Sequence, residues 1–375
     1  MSELDRYGGW TGLTSSATGF FRLEKIDGRW WFVDPDGNAF IMLGVNHITH
    51  TALKYPDNIH IWKERYGGSM ERWIREGVAK DLRDWGFNTI AWVQELASKD
   101  FRHSPEWHYW EYKWAGMPYI YHIDFAHIEY WYRYAVYPDV FSEEFEEWCD
   151  YLAREVCVDM AEEPLLIGYT FCPMPGWTHN EHVRCWADDL DLETEEGRNA
   201  LKRIAERYYQ VIHDSIRRYD RNHLLLSDSY RGASGIPDFI LEAMMPTMDL
   251  VSTNWNSRFD PMKDSIDYWH EFTGKPILLA DSGFLAPTEI LKVGPAAANY
   301  VKDQRARGDA YIDFGTKAFS TPHVVGWGWC AYLENRARCS GVKNYMDEPY
   351  QDLVDAMREF NSRVYDVASQ ARRAR

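Results

Sequence analysis

Apolar residues recur along the chain in two alternating rhythms. Short runs apolar on both faces, such as Phe40-Ile41-Met42-Leu43-Gly44-Val45 and Leu165-Leu166-Ile167-Gly168-Tyr169, read as strands buried on both sides of a parallel sheet. Between such runs, apolar positions return at the helical period. In residues 194–220, Leu201, Ile204, Ala205, Tyr208, Ile212 and Ile216 form one stripe, as an amphipathic helix requires. Residues 142–162 open on Ser142-Glu143-Glu144-Phe145, an N-cap with acids in the first turn.

In order, the pattern predicts strands at 40–45, 88–93, 118–125, 165–171, 223–228, 248–254, 275–281 and 323–330. Helices are expected at 71–86, 142–162, 194–220, 237–245, 261–272, 299–320 and about 350–370. A long aromatic loop, 98–117, precedes the third strand. Ahead of the first strand, Asp27-Gly28 and Asp36-Gly37 separate β-rich runs, the signal of a hairpin over about 20–40. Eight strands, each followed by a helix or long loop, predict an α/β fold: one (β/α)8 TIM-barrel domain over 1–375, with the hairpin across its bottom. The rival is a doubly wound open sheet, but no G-x-G-x-x-G follows the first strand.

Composition narrows the function. Aromatic residues make up 16% of the chain, with 18 Trp and 24 Tyr. Their polar edges and flat faces suit carbohydrate rings, although a heavily aromatic core would use them too. The net charge of −17 disfavours nucleic acid and anionic membranes as partners. No apolar run is long enough to span a bilayer, and the N-terminus lacks a signal-peptide pattern. The six cysteines show no C-x-x-C and no zinc spacing. They are expected as reduced thiols of a cytoplasmic protein.

In a barrel, chemistry gathers at the C-terminal ends of the strands. Those ends give Asn46 and His47; Trp92, Gln94 and Glu95; Asp124; Cys172, Met174 and Trp177, then His179 to His182; Asp228 and Tyr230; Asn254, Trp255 and Asn256; Asp281; and Trp327, Trp329, Tyr332 and Glu334. Carboxylates, amides, His and several Trp together make a sugar-binding rim. Singly, Asp124 and Asp228 could cap loops, and Trp92 and Trp327 could fill the barrel. His47-x-x-His50 and His179-x-x-His182 have the spacing of metal pairs but no carboxylate partner in sequence. Neither a metal nor a cofactor is expected. No G-x-S-x-G elbow offers a serine nucleophile.

The order of motifs resembles the agarase-like glycoside hydrolases of clan A, near the family 50 β-agarases. The matching stretches are DGRWWFVDPDGNAFIMLGVN, DLRDWGFNTIAW, YPDVFSEEFEEW, PLLIGYTF, KPILLADSGF, VVGWGWCAYLEN and NYMDEPYQDL, spread over about residues 20 to 365. The resemblance implies a (β/α)8 barrel acting on a glycosidic bond, in exo fashion, on oligosaccharides. In that family the fourth strand ends in a pattern like G-Y-x-x-D-N-E-x-x-W, whose Glu is the acid/base. Here Gly168, Tyr169 and Trp177 match, and Cys172-Pro173-Met174 replace Asp-Asn-Glu. Asp281 stands where the family has its Glu nucleophile. Both catalytic positions therefore depart from the pattern.

The expectation is a glycoside hydrolase with a non-standard acid/base arrangement. Asp281 is one essential carboxylate; the acid comes from Glu181, Glu95, Asp228 or Glu334. Asn46, His47, Trp92, Trp177, Asn254, Trp255, Trp327, Trp329 and Tyr332 would bind a small carbohydrate substrate. Homo-oligomerisation is left open. Two other readings keep the same rim: a sugar lyase, transglycosylase or isomerase, and an inactive carbohydrate-binding pseudoenzyme.

Overall fold

A computed structural model describes residues 3–95, 103–336 and 338–373. Four short strands open the chain: β1 (Trp10–Thr14), β2 (Arg22–Ile26), β3 (Arg29–Val33) and β4 (Asn38–Phe40). They form an antiparallel sheet in the order β1-β4-β3-β2. Asp27 and Gly28 both take positive φ, 50° and 83°, the type I′ geometry that matches the twist of a two-residue hairpin. The expected hairpin is thus present as β2–β3, extended to four strands.

Nine parallel strands follow: β5 (Met42–Val45), β6 (Thr89–Ile90), β7 (Tyr119–His122), β8 (Leu166–Thr170), β9 (Leu224–Leu225), β10 (Ser229–Arg231), β11 (Val251–Asn254), β12 (Ile277–Ser282) and β13 (Val324–Trp329). Their order is β10-β11-β12-β13-β5-β6-β7-β8-β9. The two ends of this sheet, β9 and β10, belong to one run of chain. Between them Ser227 takes φ of 61°, which breaks the single expected strand 223–228. The run still bonds to the β8 side, from Leu226 N to Tyr169 O (2.7 Å) and from Ser229 N to Cys172 O (2.9 Å), while β10 pairs with β11. The sheet curls back on itself with helices outside it: a TIM-like α/β fold.

The small N-terminal sheet closes one end. Phe21, Phe32 and Phe40 join Met42, Ile120, Ile167, Leu226, Leu250 and Leu278 in one buried cluster. Arg29 of β3 is fully buried and donates to the carbonyls of Phe319, Thr321 and Val324 at 2.8–3.0 Å. These lie at the C-terminus of helix Gln304–Ser320 and the start of β13. A cation there meets the negative end of the helix dipole and satisfies orphan carbonyls. Burial pushes the guanidinium down to about 9.

Several predicted helices differ in detail. The expected 71–86 helix is continuous in course but has a π-helical stretch at Trp73–Val78. The terminal helix divides into Gln351–Asn361 and Val364–Arg373. Within the stretch expected as loop 98–117, residues Tyr109–Ala115 are helical, started by a capping box between His108 and Glu111 and stopped by Gly116 in the left-handed conformation; residues 98–102 lie outside the described set. Among the described residues no helix is long and apolar enough to cross a membrane.

Candidate active site

At the C-terminal ends of the strands, Trp92, His122, Thr170, Phe171, Pro173, Ser229, Asn254, Ala280 and Asp281 line a narrow cavity above Ile120 and Leu278. The ends of β6, β7, β8, β10, β11 and β12 supply these residues, and β5 and β13 supply none. On β13, Gly326 and Gly328 leave no room for a side chain. A Cβ at Gly328 would come 2.2 Å from Ala280 O and 2.9 Å from Asn46 Nδ2. The glycine leaves the space that Asn46 fills.

Asn46, just beyond β5, holds the site together. Its Nδ2 donates to Ala280 O and to Asp281 Oδ1, both at 2.7 Å, and its Oδ1 accepts from Trp92 N at 3.0 Å. His47 follows in a left-handed conformation, φ 53°, which turns its ring across the strand end. Nδ1 donates to Gln94 O at 2.5 Å. Nε2 lies 3.6 Å from Asp281 Oδ2, an ion-pair distance rather than a hydrogen bond. Arg338, from the loop after β13, donates to Glu95 Oε1 (3.1–3.2 Å) and to Cys330 Sγ (2.8 Å).

This arrangement splits the charges. Burial alone would raise the Asp281 carboxyl, but His47, Arg338 and the Asn46 hydrogen bond hold it below the usual aspartate value. Burial and Arg338 push His47 down, yet Cys330, Glu95 and Asp281 hold it up at about 10. Asp281 is therefore a buried, ionised carboxylate facing a cavity. Across the cavity, burial pushes His122 down to about 4, so it stands as a neutral imidazole.

His47, Asp281 and Cys330 also bring one ligand-type atom each within 4.8 Å of one another. The Arg338 guanidinium donates to the same sulfur, so a cation bound there would face a fixed positive charge. The geometry favours a charge-balanced hydrogen-bond network over a metal centre.

The structure brings Asn46, His47, Trp92, Glu95, Asn254 and Asp281 together. Trp92 lines the cavity and packs on His47 at 4.9 Å between ring centroids. Asn254 accepts from Ser229, and its Nδ2 has no hydrogen-bond partner among the described residues. Glu95 is engaged by Arg338 at the edge of this group.

The other candidates stand apart. Trp327 stacks on Tyr311 and Phe314 of the outer helix Gln304–Ser320, and Trp329 packs on Phe284 and Tyr311. Tyr332 donates to Asp81 at 2.7 Å and packs on Trp73 and Trp85. Trp177 sits among Trp186, Tyr208 and Tyr209, and Trp255 leans on Trp269.

Among the acids, Asp228 turns away behind the sheet. It accepts from Cys172 N, Tyr208 and Tyr209, and burial pushes it up to about 6. Glu334 accepts from Thr288 and Tyr350. Glu181 is exposed, and its backbone N–H is tied to Tyr130 O. Sequence reasoning missed His122, Ser229 and Arg338. Position at a strand end could have found the first two; nothing in the local sequence marks Arg338.

Comparison with known proteins fits this picture. No family model matches the chain. The Beta-agarase B of a Vibrio species (strain JT0107) is 22% identical over 495 positions, covering 96% of this chain and 50% of that protein. The chain thus spans about half the length of this curated relative. Among solved structures, an exo-β-agarase superposes with a TM-score of 0.78 at 18% identity, over 98% of this chain and 68% of that one. Another agarase gives 0.76 at 18%, over 98% and 67%. A β-glucuronidase of Bacteroides uniformis gives 0.58 at 12%, over 90% and 36%. In sequence this chain is similar to an agarase, and in fold to solved agarase structures.

Proposed function

We propose that this protein is a glycoside hydrolase, exo-acting on a small oligosaccharide of the agar-derived kind, with Asp281 as its essential carboxylate. One observation carries the reading: a buried carboxylate, held ionised by Asn46, His47 and Arg338, opens onto a cavity edged by Trp92, His122 and Asn254. An ionised group in so enclosed a place is costly unless it has work to do. The agarase names of the relatives point to the same chemistry. In this reading residues 1–375 form one domain, an eight-staved barrel in which β9 and β10 count as one stave. The six cysteines, all free and buried, suit a reducing compartment such as the cytoplasm.

Asp is one methylene shorter than Glu. Its carboxylate stands back from the sugar and leaves room for a water, the arrangement of inverting enzymes, whose carboxyls lie about 6.5–9.5 Å apart. Water oxygen then bonds to the anomeric carbon as the glycosidic C–O bond breaks. Asp281 takes the water's proton, and a separate acid protonates the leaving oxygen.

The test is digestion of agar-derived oligosaccharides, scored by new reducing ends. Their appearance, with no unsaturated product absorbing in the ultraviolet, supports hydrolysis. An unsaturated product would establish a lyase, and saturable binding without turnover a carbohydrate-binding protein.

A further inference from the structure

We propose that Glu129, on the loop after β7, is the general acid that replaces the missing one at the end of β8. This rests on the hydrolase reading above. The segment around Glu129 is laced to the chain just past β8. Glu129 and Pro175 form an antiparallel bridge. Tyr130 N donates to Met174 O, Gly176 N to Ile128 O, and Asn180 Nδ2 to Glu129 O. These bonds place Glu129 beside residues 174–176, next to Met174, where the family resemblance expects the acid.

The side chain is joined through one histidine to a wall of the cavity that Asp281 lines. Glu129 Oε1 is 3.4 Å from His103 Nδ1; His103 packs edge-on to Trp92 at 4.9 Å, and Trp92 is a cavity wall. Glu129 Oε2 has no hydrogen-bond partner among the described residues. Three rival acids are otherwise engaged, Glu95 by Arg338, Asp228 by two tyrosines and Glu334 by Thr288 and Tyr350, and the fourth, Glu181, is exposed. Burial pushes the Glu129 carboxyl up, with His103 and His127 opposing and Asp124 assisting; Cys172 faces it from the end of β8. A carboxyl so placed keeps its proton to higher pH, as an acid needs. In the step, the proton on Glu129 passes to the leaving oxygen as the C–O bond breaks, and Asp281 receives the water's proton.

Protonation matters for a poor leaving group and not for a good one. Glu129→Gln is measured on an oligosaccharide that wild type cleaves and on the 2,4-dinitrophenyl glycoside of the sugar it releases. Expected is a fall of about 10²–10⁴-fold on the oligosaccharide, less than about 10-fold on the aryl glycoside, and loss of the alkaline limb of kcat/KM on the oligosaccharide. Glu129→Asp, which keeps a carboxyl but sets it back by one methylene, shows the same split with a smaller fall. Equal slowing of both substrates, or near-wild-type activity on both, overturns the assignment while leaving the hydrolase reading intact. A wild type that cleaves neither substrate overturns both.

Discussion

Both ends of the barrel bury a histidine beside an aspartate, and the two pairs are built differently. At the end sealed by the N-terminal sheet, His223 Nδ1 and Asp220 Oδ2 are 2.6 Å apart. His223 Nε2 meets Glu163 O at 2.8 Å. Asp220 also accepts from Tyr169 at 2.7 Å and from the N–H groups of Asn222 and His223. Both side chains are 0% exposed. At the other end, His47 and Asp281 are 3.6 Å apart and face a cavity. The first pair spends its hydrogen-bonding capacity on the fold. The second keeps some in reserve for a ligand. This is the expected division of a barrel, with stability at the bottom and chemistry at the top.

Exchanging one oxygen for nitrogen in each aspartate is the sharpest way to break the comparison. Asp281→Asn is expected to lower kcat by at least about 10³-fold, with the melting temperature little changed, because the amide oxygen still accepts from Asn46 and only a 3.6 Å pair at the cavity is given up. Asp220→Asn is expected to do the reverse. It leaves kcat unchanged but costs roughly 3 kcal/mol, since one partner of a buried pair is removed; chemical denaturation measures this.

A pH series sharpens the second half. His223, Tyr169 and Asn222 hold Asp220 below its ordinary value against burial. Its contribution to stability is present above the unfolded aspartate value and is lost as pH falls through the lower folded one. Asp220→Asn should therefore flatten that part of the acid denaturation curve, whereas a curve parallel to wild type would remove Asp220 from the account.

Smaller effects probe the cavity walls. Trp92→Ala should raise KM by about 5-fold, the worth of roughly 1 kcal/mol of aromatic contact, whereas Trp327→Phe should lower stability and leave KM alone. Met174→Glu should change turnover least, by less than about 10-fold. Met174 takes φ of 52° and is tied by its backbone to Ser229 and Tyr130, and the wall of the cavity at this point is Pro173. A large gain in activity would mean that the acid position is merely damaged.

The alternation of apolar strands and amphipathic helices made the fold legible, and the strand ends pointed to Asn46, His47, Trp92, Asn254 and Asp281. Two kinds of information were not in the local sequence. The first is which way a strand residue faces. A register shift between β12 and β13 sends Trp327 and Trp329 outward and glycines inward, and the positive φ at Ser227 precedes Asp228, which turns behind the sheet. The second is which distant loop is folded against a site. Glu129 lies in the aromatic segment 126–138, and the bridge to Pro175 with the backbone bonds around it brings it to the end of β8.

The central claim is that the open pair at the top of the barrel works on a glycosidic bond through Asp281. Proton NMR of the products from agar-derived oligosaccharides, with wild type and Asp281→Asn in parallel, tests it most directly. The account predicts that wild type releases first the anomer opposite to that of the bond cleaved, and that the folded variant releases nothing. Turnover by Asp281→Asn near the wild-type rate would contradict it.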